Sequence, residues 1–245
     1  MKDKIYAVLF WLFIIFTWQM LSYFNMLPQF LFPSLAEIVL SFTNEFDTLM
    51  SNLKHTFFIS FFSLLIAIIL AVFLSYFMYK IKFLYNIVYP ILLFTQNTPS
   101  IALAPLLILY LGYGLAPKIV LIVLSTLFPI LINLLQAYKN SDIDYIIYLK
   151  SLKASKYQIL KHYLFAHSLP YFFAALKISV SYAYLSAISA EWLGGFKGLG
   201  VLLIQYKKLF DYSAMYVVII LISLLSMLSI YLITLLEKKV IKWKR

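Results

Sequence analysis

Residues 83 to 117 read FLYNIVYPILLFTQNTPSIALAPLLILYLGYGLAP, 35 consecutive positions without a charged side chain. As one α-helix this run would be about 52 Å long at 1.5 Å per residue. The hydrocarbon core of a bilayer is only about 30 Å thick. The run must therefore bend or break, and Pro90, Pro99 and Pro105 supply the places, because proline removes a backbone donor and crowds the preceding turn. The rest of the chain agrees with a lipid setting. Of its 245 residues 64% are hydrophobic and 12% charged, with 22 Phe and 20 Tyr, whereas a soluble domain is roughly half apolar and a quarter charged. At about 20 residues per span, the length allows five or six helices with short loops.

Further uncharged runs cover 5 to 24, 56 to 79, 119 to 138 and 212 to 236, and the stretch 163 to 190 is interrupted only by Lys177. The first run ends at Phe24-Asn25-Met26-Leu27-Pro28 without a small-x-small cleavage site, so it reads as a retained helix and not as a signal peptide. The expectation is an all-α polytopic membrane protein with about six transmembrane helices. Charge orients it. With both termini in the cytoplasm, 14 basic residues lie inside (Lys2, Lys4, Lys80, Lys82, Lys139, Lys150, Lys153, Lys156, Lys161, Lys238, Lys239, Lys242, Lys244, Arg245) and five outside (Lys54, Lys118, Lys197, Lys207, Lys208). This is the asymmetry of the positive-inside rule. It also accounts for the net charge of +11 without nucleic acid. The absence of cysteine excludes disulfides, thiolate metal sites and a thiol nucleophile, and His55, His162 and His167 are too scattered for a helical metal pair.

Few segments lie between the spans. Residues 33 to 52 carry Glu37, Glu45 and Asp47 and suit an amphipathic helix on the outer surface. Residues 139 to 167, KNSDIDYIIYLKSLKASKYQILKHYLFAH, form the longest cytoplasmic segment. Apolar residues at Ile143, Ile146, Ile147, Leu149 and Leu152, then at Tyr157, Ile159, Leu160 and Tyr163, predict two short amphipathic helices bent near Ala154-Ser155. Ser155 is placed to cap the second.

Polar residues at membrane depth are candidate functional positions. Gln96, Asn97, Thr98 and Ser100 flank Pro99, where freed backbone groups are tolerated only if buried in protein or lining a cavity. They either line a pathway or cap a kinked helix. Ser125 in the fourth span and Ser186 in the fifth are further pathway candidates, although small polar residues equally serve close helix packing. Glu191 closes the fifth span, and four of the six glycines fall at Gly194, Gly195, Gly198 and Gly200. That composition fits a re-entrant turn or gate, or an interfacial loop anchored by Trp192. Lys177 is placed to snorkel or to pair near the inner face. Paired carboxylates, a Ser-His-Asp set and a Walker pattern are all missing, which leaves hydrolysis without its parts. Proton transport would need several intramembrane acids, and Glu191 alone is candidate. The work must come from elsewhere.

At the cytoplasmic loop the sequence resembles the permease subunits of bacterial binding-protein-dependent ABC importers, in the branch for nitrate, sulfonates, taurine and thiamine pyrimidine precursors. Leu152-Lys153-Ala154-Ser155, Lys156-Tyr157-Gln158, Leu169-Pro170 and Ala175-Leu176-Lys177 fall at the spacing of that family's signature. Ile147, Tyr148 and Leu149 replace its Glu-Ala-Ala, Lys153 its Gly, and Ala166 a first Pro. Lys153 could hold the glycine geometry only at a cost if its φ is positive, so the bend is expected to differ or to shift. Phe32-Pro33-Ser34, the run from Ile101 to Gly114, Pro117-Lys118-Ile119, Phe128-Pro129-Ile130 and Ala190-Glu191-Trp192-Leu193-Gly194 also look like this branch.

The resemblance implies a type I ABC importer permease fold, with an N-terminal transmembrane helix at 1–29, a permease core at 30–236 holding the coupling loop, and a basic cytoplasmic tail at 237–245. It implies a homodimeric pore in the cell membrane, two ATP-binding subunits that use ATP and Mg, and an extracytoplasmic solute-binding protein. The chain itself is expected to hold no cofactor or metal and to be no enzyme. Ile147, Leu152, Ala154 and Tyr157 are then anchors on the ATPase, with Lys150, Lys153, Lys156, Ser155, Gln158 and Pro170 completing the coupling loop. Among solutes the pyrimidine precursor is favoured, since the interior offers no Arg and only Lys177 to an anion; a sulfonate such as taurine, or nitrate, comes next. An ATP-independent channel or secondary carrier, a membrane-embedded enzyme or assembly factor, and an exporter of the same fold are the rival readings.

Overall fold

The computed structural model describes residues 2–24 and 32–243, and the described residues are helical almost throughout. In chain order the helices are α1 (Lys2–Tyr23), α2 (Leu35–Asn44), α3 (Phe46–Lys80), α4 (Lys82–Asn97), α5 (Ser100–Leu111), α6 (Leu115–Lys139), α7 (Ile143–Ser151), α8 (Lys156–Ile159), α9 (Phe165–Gly194), α10 (Leu199–Leu209) and α11 (Tyr212–Val240). A single π turn, Leu160–Leu164, joins α8 to α9. The proposed end of the first domain at residue 29, and Lys244 and Arg245 of the tail, lie outside the described residues.

Among the described residues, four stretches are long and apolar enough to cross a bilayer: Phe46–Lys80, Leu115–Lys139, Lys156–Gly194 and Tyr212–Val240. The long uncharged run does break. α4 and α5 meet at 109°, at Thr98-Pro99, whereas Pro90 and Pro105 stay inside helices. α1, with its apolar stretch Leu9–Tyr23, is held to the rest by Trp18, whose Nε1 donates to Pro33 O at 3.0 Å and whose ring meets Tyr216 edge-on.

Two boundaries differ from expectation. The second span begins at Phe46, not at 56, so only Leu35–Asn44 of the proposed surface segment is a separate helix. Ser34 and Glu37 start it with a reciprocal capping box. The fifth span likewise begins at Lys156 and runs through the π turn, which places Pro170 inside α9 and not in a loop.

α6 is the most enclosed span and packs against both α3 and α9. Leu121, Ile122, Ile130, Leu131 and Leu135 fill its contacts, and Ala67, Ala71, Ala175, Ala183 and Ala187 let the neighbours approach closely. Serines complete the seams. Ser179 Oγ donates to Thr126 O of α6 at 3.0 Å, and Tyr184 shares a 2.8 Å hydrogen bond with Ser229 of α11.

Candidate functional site

At the end taken as cytoplasmic, α7 and α8 form the expected bent pair. Asp142 caps α7, its Oδ1 accepting from Asp144 N and Tyr145 N at 2.9 and 3.2 Å. α7 ends in a Schellman motif: Lys153 N donates to Lys150 O at 2.9 Å and Ala154 N to Leu149 O at 3.1 Å. Lys153 carries the left-handed residue of that motif, with φ 59°. The bend therefore has not shifted; Lys153 occupies the glycine geometry itself. Ser155 then opens α8 with a capping box, its Oγ accepting from Gln158 N at 3.2 Å and its N donating to Gln158 Oε1 at 2.7 Å.

The bend is held by caps on both of its helices, and its exposed face mixes apolar and basic side chains. Ile146, Leu149 and Ala154 pack against the core, while Ile147, Leu152 and Tyr157 are 56%, 61% and 67% exposed. Lys150, Lys153 and Lys156 stand among them, also exposed. Tyr163 ties this unit to the fifth span. Its hydroxyl accepts from Asp142 N at 2.8 Å, and its ring lies 4.8 Å from that of Tyr145 and 5.9 Å from that of His167.

At the opposite end Glu191 is 1% exposed. Thr56 Oγ1 of α3 donates to both its carboxyl oxygens, at 2.9 and 3.1 Å, and Gly200 N donates to Oε2 at 2.9 Å. Gly198 N donates to Asn52 Oδ1 at 2.7 Å and Leu199 N to Thr56 Oγ1 at 2.9 Å. The N-cap of α10 is Gly198, which has no side chain to serve as a cap. Three side chains from α3 and α9 supply the missing acceptors instead. Gly198 has φ 129°, and a Cβ there would overlap the Glu191 carboxyl group. The site is thus a closed polar knot joining α3, α9 and α10, with no opening at the carboxyl group.

The other pathway candidates are spread along the bundle. Gln96, Thr98 and Ser100 are half-buried and Asn97 exposed at the α4–α5 break, where Thr98 Oγ1 donates to Phe94 O at 2.9 Å. Ser125 donates back to Leu121 O at 2.9 Å, and Ser186 is buried. Lys177 pairs with Glu237 of α11. Lys118, placed outside by the sequence, is only 6% exposed and sits beside Ala104, Ile108, Pro117, Ala190 and Gly194. The interior therefore holds a second cation near its outer end. Asn52 and Thr56 escaped the sequence reading, although two polar residues four apart at the mouth of an apolar run mark one helix face.

The family model for binding-protein-dependent transport system inner membrane components matches residues 63–242. The chain is 34% identical over 158 residues to the formylaminopyrimidine transport permease protein ThiX of Halalkalibacterium halodurans, covering 64% of this chain and 63% of that one. It is 30% identical over 164 residues to the riboflavin transport system permease protein RibX of Chloroflexus aurantiacus, covering 67% and 61%. With the aliphatic sulfonates permease SsuC of Bacillus subtilis it shares 26% over 155 residues, covering 63% and 56%. The chain thus spans about six tenths of the length of the curated relatives it matches. In structure it superposes on a chain of the inward-facing MetNI methionine ABC transporter with a TM-score of 0.68 at 19% identity, covering 81% of this chain and 97% of that one.

Proposed function

The chain belongs to the family of binding-protein-dependent transport system inner membrane components, and we propose that it is the membrane-spanning permease subunit of an ATP-driven importer of a small solute. The fold is the expected all-α, multi-pass, type I importer permease fold. The observation that carries the function is the capped bend of α7 and α8. It is rigid, yet it turns Ile147, Leu152 and Tyr157 away from the bundle, which is what a borrowed motor needs to grip. Two copies of the chain form the pore, and a separate ATPase subunit on each bend binds ATP and Mg. Their closure draws the bends together and opens the bundle outward, toward a solute-binding protein. Both termini lie in the cytoplasm.

Substituting Leu152, Ala154, Ser155 and Tyr157 together by Asp tests this reading. Loss of ATPase association and of uptake is the expected result. If both survive, docking is not at this bend. Uptake by the purified chain without any ATPase would instead establish a channel or secondary carrier.

For the solute, a thiamine pyrimidine precursor is the preferred reading and a sulfonate or nitrate the next. Its support is the similarity to relatives named for formylaminopyrimidine and riboflavin transport, since buried Lys118 removes the argument from a cation-free interior. Deletion should abolish growth rescue by the pyrimidine precursor. Loss of taurine-dependent growth with that rescue intact would overturn it.

A further inference from the structure

The start of α6 presents Gly114, Pro117 and Lys118 to a small cavity, closed from the other sides by Ala104 and Ile108 of α5 and by Ala190 and Gly194 of α9. About 10 Å³ of it is open to the centre of a water-sized particle. That is room for one water or one halide ion, and too little for a phosphate or a whole organic acid. The wall is tight, since a Cβ on Gly194 would lie 2.9 Å from Ile108 Cδ1.

Positive charge collects around this cavity. Lys118 is 6% exposed, yet its ammonium group donates to no acceptor and forms no ion pair among the described residues, where Lys177 with Glu237 is the only such pair. Glu191 is close enough to act on it electrostatically, but the Glu191 oxygens already accept from Thr56 Oγ1 and Gly200 N. Lys118 and Lys197 both act on His55 of α3, whose Nε2 is buried without a hydrogen-bond partner. Two lysines thus stand around one carboxylate. Gly114, with φ 140°, opens α6 without a side chain to cap it, so the positive end of that helix lies against the cavity. The last turn of α9 brings a negative end through Ala190 and Gly194. It offsets the α6 end and leaves the Lys118 charge uncancelled, and a buried charge without a partner is costly.

We propose that this cavity is a binding site for one halide-sized anion, chloride, held by the Lys118 ammonium group at the start of α6 and enclosed by α5 and α9. Bound there, the ion neutralises Lys118 and braces the three helices at the end of the bundle that holds Glu191. Size separates a free halide from the acidic group of a larger molecule, which has no room to follow its charge into the cavity. The site involves neither the ATPase nor the transported solute, so the transport reading stands or falls without it.

The purified full chain in detergent is melted at equal ionic strength in sodium chloride, sodium bromide and sodium gluconate. Chloride and bromide should raise the melting temperature above that in gluconate, by about 4–7 °C once the halide exceeds its dissociation constant about twentyfold. Equilibrium dialysis with radioactive chloride should count one ion per chain, displaced by bromide and not by gluconate. Lys118→Met should remove both the shift and the bound ion. Ala104→Leu, which fills the cavity and keeps the lysine, should do the same, and it keeps the test valid if the first variant fails to fold. Equal melting of the parent chain in the three salts overturns the proposal, as does the absence of bound chloride. A halide shift that persists in Lys118→Met overturns it as a general salt effect, and displacement of chloride by gluconate overturns it by showing that the site does not select on size.

Discussion

Replacing Glu191 by Ala separates a structural knot from a transport group. The substitution removes the acceptor of Thr56 Oγ1 and of Gly200 N, both buried. Stranding a buried donor costs about 1–3 kcal/mol, so two of them predict a loss of roughly 3–5 kcal/mol. For a chain of this size about 1 kcal/mol corresponds to a shift of roughly 2–4 °C in melting temperature, which places the expected fall near 10 °C in detergent. Glu191→Gln keeps one acceptor oxygen but turns an amide toward donors, and should lose about half as much. Thr56→Ala should be non-additive with Glu191→Ala, with a coupling energy of about 1 kcal/mol or more, since both remove the Thr56–Glu191 contact. Thermal unfolding of the four variants in one detergent measures all of this. If Glu191→Ala melts within about 2 °C of the parent while uptake is lost, the carboxyl group acts on solute and the knot is not its role.

Lys153→Gly relieves a left-handed residue that costs a side-chain-bearing residue about 1–2 kcal/mol, partly offset by the greater freedom of glycine in the unfolded chain. The bend should gain about 0.5–1 kcal/mol, seen as slower amide exchange at Lys153 and Ala154; faster exchange would mean that the lysine is held there by contacts worth more than the strain. Ser155→Ala removes one half of the α8 capping box and should cost about 1 kcal/mol, read as increased proteolysis between α7 and α9. Tyr163→Phe keeps the ring contact to Tyr145 but loses the hydrogen bond from Asp142 N; ATPase association should persist while solute moved per ATP falls, and an unchanged ratio would show that the hydroxyl transmits nothing. Glu237→Gln should shift stability by only about 0–1 kcal/mol, because the pair with Lys177 is partly exposed, and a larger fall by thermal unfolding would place it in a drier setting.

What the sequence disclosed follows from how local each signal is. The break at Thr98-Pro99, the α7–α8 bend and the Ser155 cap all depend on residues within a few positions of one another, and each was readable. The start of α3 was not. Asp47, Lys54 and His55 interrupt the apolar run, but they lie on the first turns of a helix that outreaches the hydrocarbon, where charge carries no penalty. Glu191 was visible as a polar residue ending a span. Its partner Thr56 is 135 residues away, and no periodicity reports a contact at that separation. The burial of Lys118 was hidden for a related reason. A cation beside a Gly-Pro stretch looks like a surface loop until α5 and α9 fold over it.

The two ends meet in one element. From Lys156 to Gly194 the backbone is helical without a gap for 39 residues, about 58 Å at 1.5 Å per residue, with the α7–α8 bend at its first turn and Glu191 near its last. Through the knot its outer end is fastened to α3 and α10, and along its length it is packed on α6. The α4–α5 unit differs, since its two halves are joined through Thr98 and Pro99 at 109° and proline supplies no donor to bridge the break. A displacement imposed on the bend therefore has a stiff route to the outer knot through α9, and a compliant place at the α4–α5 break where the remaining helices can move relative to it. The π turn at Leu160–Leu164 lies next to the α7–α8 bend, and a π turn is one of the places where a helix can kink. A continuous α9 beside the broken α4–α5 unit is the arrangement that the proposed transport reading requires of the bundle.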